Sequence, residues 1–217
     1  FIENKGIQYI PFVNKLIQNQ ESFAIDYIQL QKAKEVGRVI GLFHSHLDET
    51  FSVVDKHISE KRNLISIIYK TKLDEFETYN PVGLEIPYLG RSFVMGIFDC
   101  FTLVQDYYSR ELNIQLKEFN HKHRYTFDLS ETEENYKDNP ITKNHLLQNG
   151  FVEVKNLKKH DIILNRYGRI KFPTHHLIYL GENKILHHPF FDPSSIEDYS
   201  NEFRKLTMGI FRHNSNL

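Results

Sequence analysis

Residues 96–104 read GIFDCFTLV and hold the only cysteine among 217 residues. The role of that cysteine decides how the second half of the chain folds. A lone cysteine beside apolar residues is most often a small core residue; the alternative is a nucleophile. The run DCFTLVQDYYSREL has helical spacing, with Phe101, Val104 and Tyr108 on one stripe and Leu103 and Tyr107 beside it. Cys100 therefore stands where a helix should begin, and the positive end of the helix dipole favours a thiolate there. A thiol nucleophile also needs a base and a third polar group to orient that base.

Residues 174–189, THHLIYLGENKILHHP, offer both. Two strand-like runs are joined by a tight turn at Gly181-Glu182-Asn183. The first run begins with histidines and the returning run ends with them, so a hairpin brings the two ends together. One imidazole from each strand can approach the thiol. With 12 histidines in the chain, chance pairs are easy, and a strand histidine is as readily a satisfied or exposed residue as a catalyst. Around the hairpin, DIILNRYG reads as a further strand and ITKNHLLQNGFVEV as a helix stopped at Gly150. The polar HKHRYTFDLSETEENYKDNP reads as an irregular insert.

The totals bound the reading. Apolar residues at 40% and charged residues at 25% are ordinary for a globular protein, and the length allows one large domain or two small ones. A net charge of -1 and a pI near 6.9 give no electrostatic case for nucleic acid. No apolar run is long enough for a membrane span, and no secretory signal pattern is visible. One cysteine excludes an internal disulfide framework, in keeping with a reducing compartment.

The first half has its own pattern. GIQYIPFV and GRVIGLFHSH look like strands around a helical SFAIDYIQLQKAKEV. DETFSVVDKHISEKR reads as a loop running into a helix and NLISIIYK as a buried strand. The polar TKLDEFETYNPVGLEIP, rich in turn residues, reads as the join between two domains. His44 and His46 alternate, so on a strand they share a face. With Asp55 as a third ligand they form a zinc-type donor set that leaves a fourth position for water.

GIFDCFTLV resembles the glycine-x-x-aspartate-cysteine-serine-x-leucine-valine signature of NlpC/P60 cysteine peptidases. HHLIYLGENKILHH resembles that family's histidine strand, tyrosine-leucine-glycine turn and second polar residue. LKKHDIIL resembles its aspartate-containing strand start, with His160 where the family has glycine. The resemblance covers residues 82–217. It implies a papain-like domain in which a helix carrying the cysteine packs on an antiparallel sheet. Counting four residues back from Tyr179 makes His175 the base. Twelve further on, His187 is the orienting residue, with His176 and His188 as bystanders on the opposite faces. Tyr88, twelve residues before the cysteine, and Asp99 are the implied substrate-binding residues. The implied reaction is amide hydrolysis by acyl transfer, without a cofactor, on the peptide stem of peptidoglycan between D-glutamyl and diamino-acid residues.

HSHLDETFSVVD resembles the JAMM (Mov34/MPN/PAD-1) metalloprotease pattern, which implies zinc at His44, His46 and Asp55. Two departures weigh against metalloprotease activity. Leu47 replaces the usual proline, and the loop to Ser52 is short. The family's glutamate base belongs on a strand that would precede Phe1, and Glu3 falls too late to be it. A JAMM-like half followed by an NlpC/P60 half resembles the tail tip assembly proteins of long-tailed phages. That pairing implies phage tail tip proteins and peptidoglycan stem peptides as partners, the host cytoplasm during assembly, and then the virion tail tip. A mainly structural assembly role, or processing of a tail protein, stays open beside it. The expected fold is α+β in two domains: an N-terminally incomplete JAMM-like α/β unit over 1–78 and a papain-like NlpC/P60 unit over 79–217.

Overall fold

The computed structural model describes residues 2–3, 6–12, 27–118, 141–167 and 169–216. The expected polar insert at 121–140 lies outside them. The chain forms two compact units, Phe1–Ile86 and Pro87–Leu217.

In the first unit, β1 (Ile2–Glu3) sits between β2 (Ile7–Gln8) and β3 (Arg38–Val39), with α1 (Tyr27–Val36) leading into β3. The expected single strand over GRVIGLFHSH is split. β3 pairs with β1, whereas β4 (Gly41–His46) belongs to another sheet. From β4 the chain crosses through α2 (Val53–Arg62) to β5 (Ile65–Lys70), which lies parallel to β4. A capping box starts α2: the Asp55 N–H donates to Ser52 Oγ at 3.1 Å and the Ser52 N–H to the Asp55 carboxylate at 2.9 Å. Asn63, with φ 50°, ends it in the left-handed region.

The join expected at 78/79 is corrected to 86/87. The polar segment read as a linker contains β6 (Glu75–Tyr79), antiparallel to β5 with Ser66 opposite Tyr79. Beyond β6, the Glu60 carboxylate accepts from Tyr79 OH at 2.6 Å, Val82 N at 2.8 Å and Gly83 N at 2.9 Å. These bonds tie the segment back to α2. Its polarity reflects an edge strand with one solvated face, which composition alone resembles a linker.

In the second unit, α3 (Cys100–Leu112) lies against a six-stranded antiparallel sheet. The sheet is built from β7 (Phe151–Val154), β8 (Ile162–Asn165), β9 (His175–Gly181), β10 (Lys184–His187), β11 (Ser195–Asp198) and β12 (Thr207–His213), in the order β11-β10-β9-β8-β12-β7. Helices α4 (Ile141–Gln148) and α5 (Asn201–Leu206) complete it. The expected stop at Gly150 is met, with a φ of +82° there. The hairpin turn is as read, with positive φ at Gly181, Glu182 and Asn183.

The two faces of the sheet bury different sets. Ile162, Leu164, Ile178, Leu186 and Phe211 pack with Phe101, Val104 and Tyr108 of α3. Ile163, Leu177 and Ile185 pack with Tyr199 and Phe203 on the other side. This alternation decides which histidines meet the thiol.

His160 stands in the left-handed region, with φ 74°. A side chain there costs energy that glycine avoids, which accounts for glycine at this point in the family signature. The ring is held by a 2.8 Å hydrogen bond with Tyr107 OH, and the Tyr108 OH donates to the His160 carbonyl. His160→Ala and His160→Gly both lose the ring and differ in the strain at Cβ. His160→Gly is expected to be the more stable of the two by about 1 kcal/mol in chemical denaturation. Equal stability would mean that this backbone carries no strain.

Candidate active site and candidate metal centre

Asp99 fixes where α3 begins. Its Oδ1 accepts from the N–H groups of Phe101 at 3.0 Å and Thr102 at 2.8 Å, and its Oδ2 from Gly96 N at 2.7 Å. Thr102 Oγ1 returns the contact by accepting from Asp99 N at 2.8 Å. Asp99 is therefore a buried helix cap, and its expected substrate-binding role is corrected, because backbone donors occupy both carboxylate oxygens. Cys100 follows as the first helical residue, as expected.

The Cys100 Sγ lies 3.6 Å from His176 Nδ1. His176 shares its face of β9 with Ile178, which packs on α3, while His175 shares the opposite face with Leu177. The assignment of His175 as the residue facing the thiol is therefore corrected by one position. The same shift applies across the hairpin. Leu186 pairs with Ile178 and His187 with Leu177, so the register carries His188 opposite His176. His176 Nε2 and both ring nitrogens of His188 are buried and have no hydrogen-bond partner among the described residues.

His175 and His187 form a separate chain on the far face. His175 Nε2 meets His187 Nδ1 at 3.0 Å, and His187 Nε2 meets Glu197 Oε1 at 3.0 Å. The Glu197 carboxylate can only accept, so His187 carries its proton on Nε2 and receives the His175 Nε2–H at Nδ1. Both rings are thus engaged away from the thiol. Glu197, on β11, was not singled out in the sequence, because nothing marks a strand glutamate as buried at one oxygen.

Tyr88 is also corrected. Its OH donates to Glu111 Oε1 at 3.0 Å and its ring packs on Tyr107 with centroids 5.8 Å apart. Glu111 lies about 16 Å of helix rise from Cys100, so Tyr88 braces the far end of α3.

The expected depression of the thiol is not met. Burial pushes Cys100 up to about 12, and the Asp99 charge adds to this; the N–H groups of His176, Phe101 and Cys100 itself work the other way. Burial also pulls His176 down to about 4, against the opposing charge of Asp99. The resting pair is therefore a neutral thiol beside a neutral imidazole, and the dry site disfavours both charged forms.

In the first unit, the three expected metal ligands come together. His44 Nε2 and His46 Nε2 are 2.9 Å apart, and the Asp55 oxygens stand 3.3 Å from His44 Nε2 and 3.6 Å from His46 Nε2. The ligand atoms all lie within 4.8 Å of one another. His46 Nδ1 donates to the Glu49 carbonyl at 3.2 Å, which leaves Nε2 as the lone-pair nitrogen. Burial opposes the charge on Asp55, yet the His44 and Ser52 hydrogen bonds outweigh it and hold the carboxyl down at about 2. Two imidazole nitrogens and an ionised carboxylate converging in this way fit a tetrahedral zinc-type cation with one open position.

A helix-start cysteine against a strand histidine on an antiparallel sheet defines a Cys–His hydrolase site. Residues 90–212 match the NlpC/P60 family, and the chain belongs to it, which points to a cysteine peptidase or amidase. Among curated proteins the chain is similar to Tail tip assembly protein K of Escherichia phage N15, 29% identical over 209 residues, covering 95% of this chain and 82% of that protein. It is also similar to Tail tip assembly protein K of Escherichia phage lambda, 27% identical over 192 residues and 87% of each. Among solved structures, an NlpC/P60 family protein of Bacillus cereus aligns at 17% identity and a TM-score of 0.39, covering 65% of this chain and 45% of that one. The chain spans less than half the length of the solved structures it matches. No helix among the described residues is long and apolar enough to cross a membrane.

Proposed function

We propose that this chain is a phage tail tip protein whose second unit is a cysteine peptidase acting on the peptide stem of peptidoglycan. The observation that carries the reading is the 3.6 Å approach of Cys100 Sγ to His176 Nδ1, with partnerless buried imidazole nitrogens behind it. Cys100 attacks the scissile carbonyl as its proton passes to His176 Nδ1. His188 receives the Nε2–H of the imidazolium and fixes the ring. The Cys100 N–H, at the helix start, donates to the developing oxyanion. His176 then returns the proton to the leaving amine and next deprotonates the water that opens the thioester. The tail tip setting is supported by the similarity to the two phage K proteins, and tail tip proteins are the partners it implies. The test is digestion of purified muropeptides by the wild type and by Cys100→Ala in parallel. Cleavage at the D-glutamyl bond that persists in Cys100→Ala would defeat the reading.

A base must be neutral to take a proton. Burial depresses His176 to about 4, so its neutral form dominates above that pH. The acid limb of kcat/KM is therefore expected well below the ordinary imidazole value of about 6.5. A limb at or above that value would mean that the titrating base is another group.

We further propose that His44, His46 and Asp55 hold a zinc ion in the first unit, as their convergence supports. Zinc bound there would supply Lewis acidity. His44 and His46 would bind through Nε2, and Ser52 would hold Asp55 through its N–H and hydroxyl. Calorimetric titration is expected to show one zinc site that His44→Ala removes. Chelation is expected to leave Cys100-dependent hydrolysis unchanged, whereas iodoacetamide abolishes it. Loss of hydrolysis on chelation would tie the metal to the thiol chemistry and overturn this division.

A further inference from the structure

An aromatic shelf adjoins His188. The Phe93 ring stands edge-on to His188 with centroids 5.5 Å apart, and Phe190 and Phe191 follow at 4.9 and 6.1 Å from Phe93. Phe191 is 80% exposed, the most exposed large apolar side chain among the described residues. Its backbone has φ 66°, a conformation that costs a bulky L-residue energy, yet it persists. The segment carrying it is fastened on both sides. Phe190 N donates to Tyr167 OH at 3.2 Å. Beyond it, Ser194 is bound to the 90–91 loop by Gly90 N to Ser194 O at 2.8 Å, Arg91 N to Ser194 Oγ at 2.9 Å and Ser194 N to Arg91 O at 3.1 Å. A hydrophobic ring held outward by a strained, well-anchored backbone is not explained by folding, since burying it would be favourable.

We propose that Phe93, Phe190 and Phe191 form a subsite for a hexopyranose ring, so that the peptidase takes stem peptides still attached to the glycan. This rests on the proposed peptidoglycan reading. A pyranose offers a flat face of C–H groups, which suits the negative face of an aromatic ring, and its hydroxyl edge stays in water. An open shelf fits such a ligand, whereas an isolated apolar side chain calls for a closed pocket. The spacing agrees as well. In peptidoglycan two residues separate the D-glutamyl carbonyl from the sugar, about 7 Å of extended chain. That matches the scale of the steps from His188 to Phe93 and from Phe93 to Phe191.

The test compares a disaccharide-linked tetrapeptide with the same tetrapeptide lacking the sugar, using the full chain. The wild type is expected to have a KM about tenfold lower for the sugar-linked substrate, the order of one good stacking contact. Phe191→Ala should erase that preference, leaving kinetics on the free peptide unchanged, and Phe191→Trp should keep it. No preference in the wild type, or equal loss on both substrates in Phe191→Ala, would overturn the proposal; the equal loss would mark the shelf as a site for a peptide side chain. If the wild type cleaves neither substrate, the peptidase reading has failed, and binding of the disaccharide to the Cys100→Ala chain, followed by NMR, decides the shelf. Binding lost in the Phe191→Ala background sustains the subsite, and binding absent or insensitive to that change removes it.

Discussion

His176→Ala is expected to lower hydrolysis at least about a thousandfold, the scale of a lost general base, while His175→Ala stays within about tenfold of the wild type. The two histidines are neighbours in sequence and opposite in space. One faces the sulfur, and the other is bound through Nε2 to His187 on the far side of the sheet. The same contrast is expected across the hairpin, with His188→Ala damaging and His187→Ala mild. Because His175 and His187 are buried and hydrogen-bonded, their removal should lower the melting temperature. Activity is therefore compared at a temperature where every variant is folded by circular dichroism. A His175→Ala enzyme as dead as His176→Ala, though folded, would mean that the strand faces are exchanged.

Asp161→Ala is expected to cost about 3–5 kcal/mol of stability, the range for breaking a buried ion pair from one side. Asp161 is fully buried, and it accepts from Arg212 Nε at 2.8 Å and Arg212 Nη2 at 2.7 Å, with Lys158 N on the same carboxylate at 2.6 Å. Removing the carboxylate strands a guanidinium in the core. The double variant Asp161→Ala/Arg212→Met should recover much of the loss, since the orphaned charge goes with it. Urea denaturation reads both, and a single-variant loss below 1 kcal/mol would show that water reaches the arginine once the aspartate is gone.

Much of this arrangement can be read from the residues. Asp99 before an apolar helical run marks the start of α3, Gly150 marks a helix end, and Gly181-Glu182-Asn183 marks the hairpin. The facing of the hairpin cannot be read in that way. Leu177 and Tyr179 alternate with Ile178 and Leu180, so both faces of β9 are apolar, and a period of two cannot say which one meets the helix. Counting from Tyr179 chose the wrong face by one residue. The Tyr88 assignment failed for a related reason, because sequence distance from a helix start does not reveal which end of the helix an upstream segment meets. His44, His46 and Asp55 were legible because strand alternation and a helix cap are local rules. β7, β11 and β12 were not, since short strands with mixed burial have little periodicity of their own.

β12 lies between β8 and β7, although it follows both in the chain. A ribosome therefore releases β7 through β11 before the strand that joins β7 to the rest of the sheet exists. Until Thr207–His213 has cleared the exit tunnel, β8 has an open edge and β7 has no neighbour. The peptidase unit cannot ripen strand by strand during translation. Its closure is a late, long-range event, so nascent chains should carry no hydrolytic activity, and the unpaired strands are the stage at which a chaperone would be engaged.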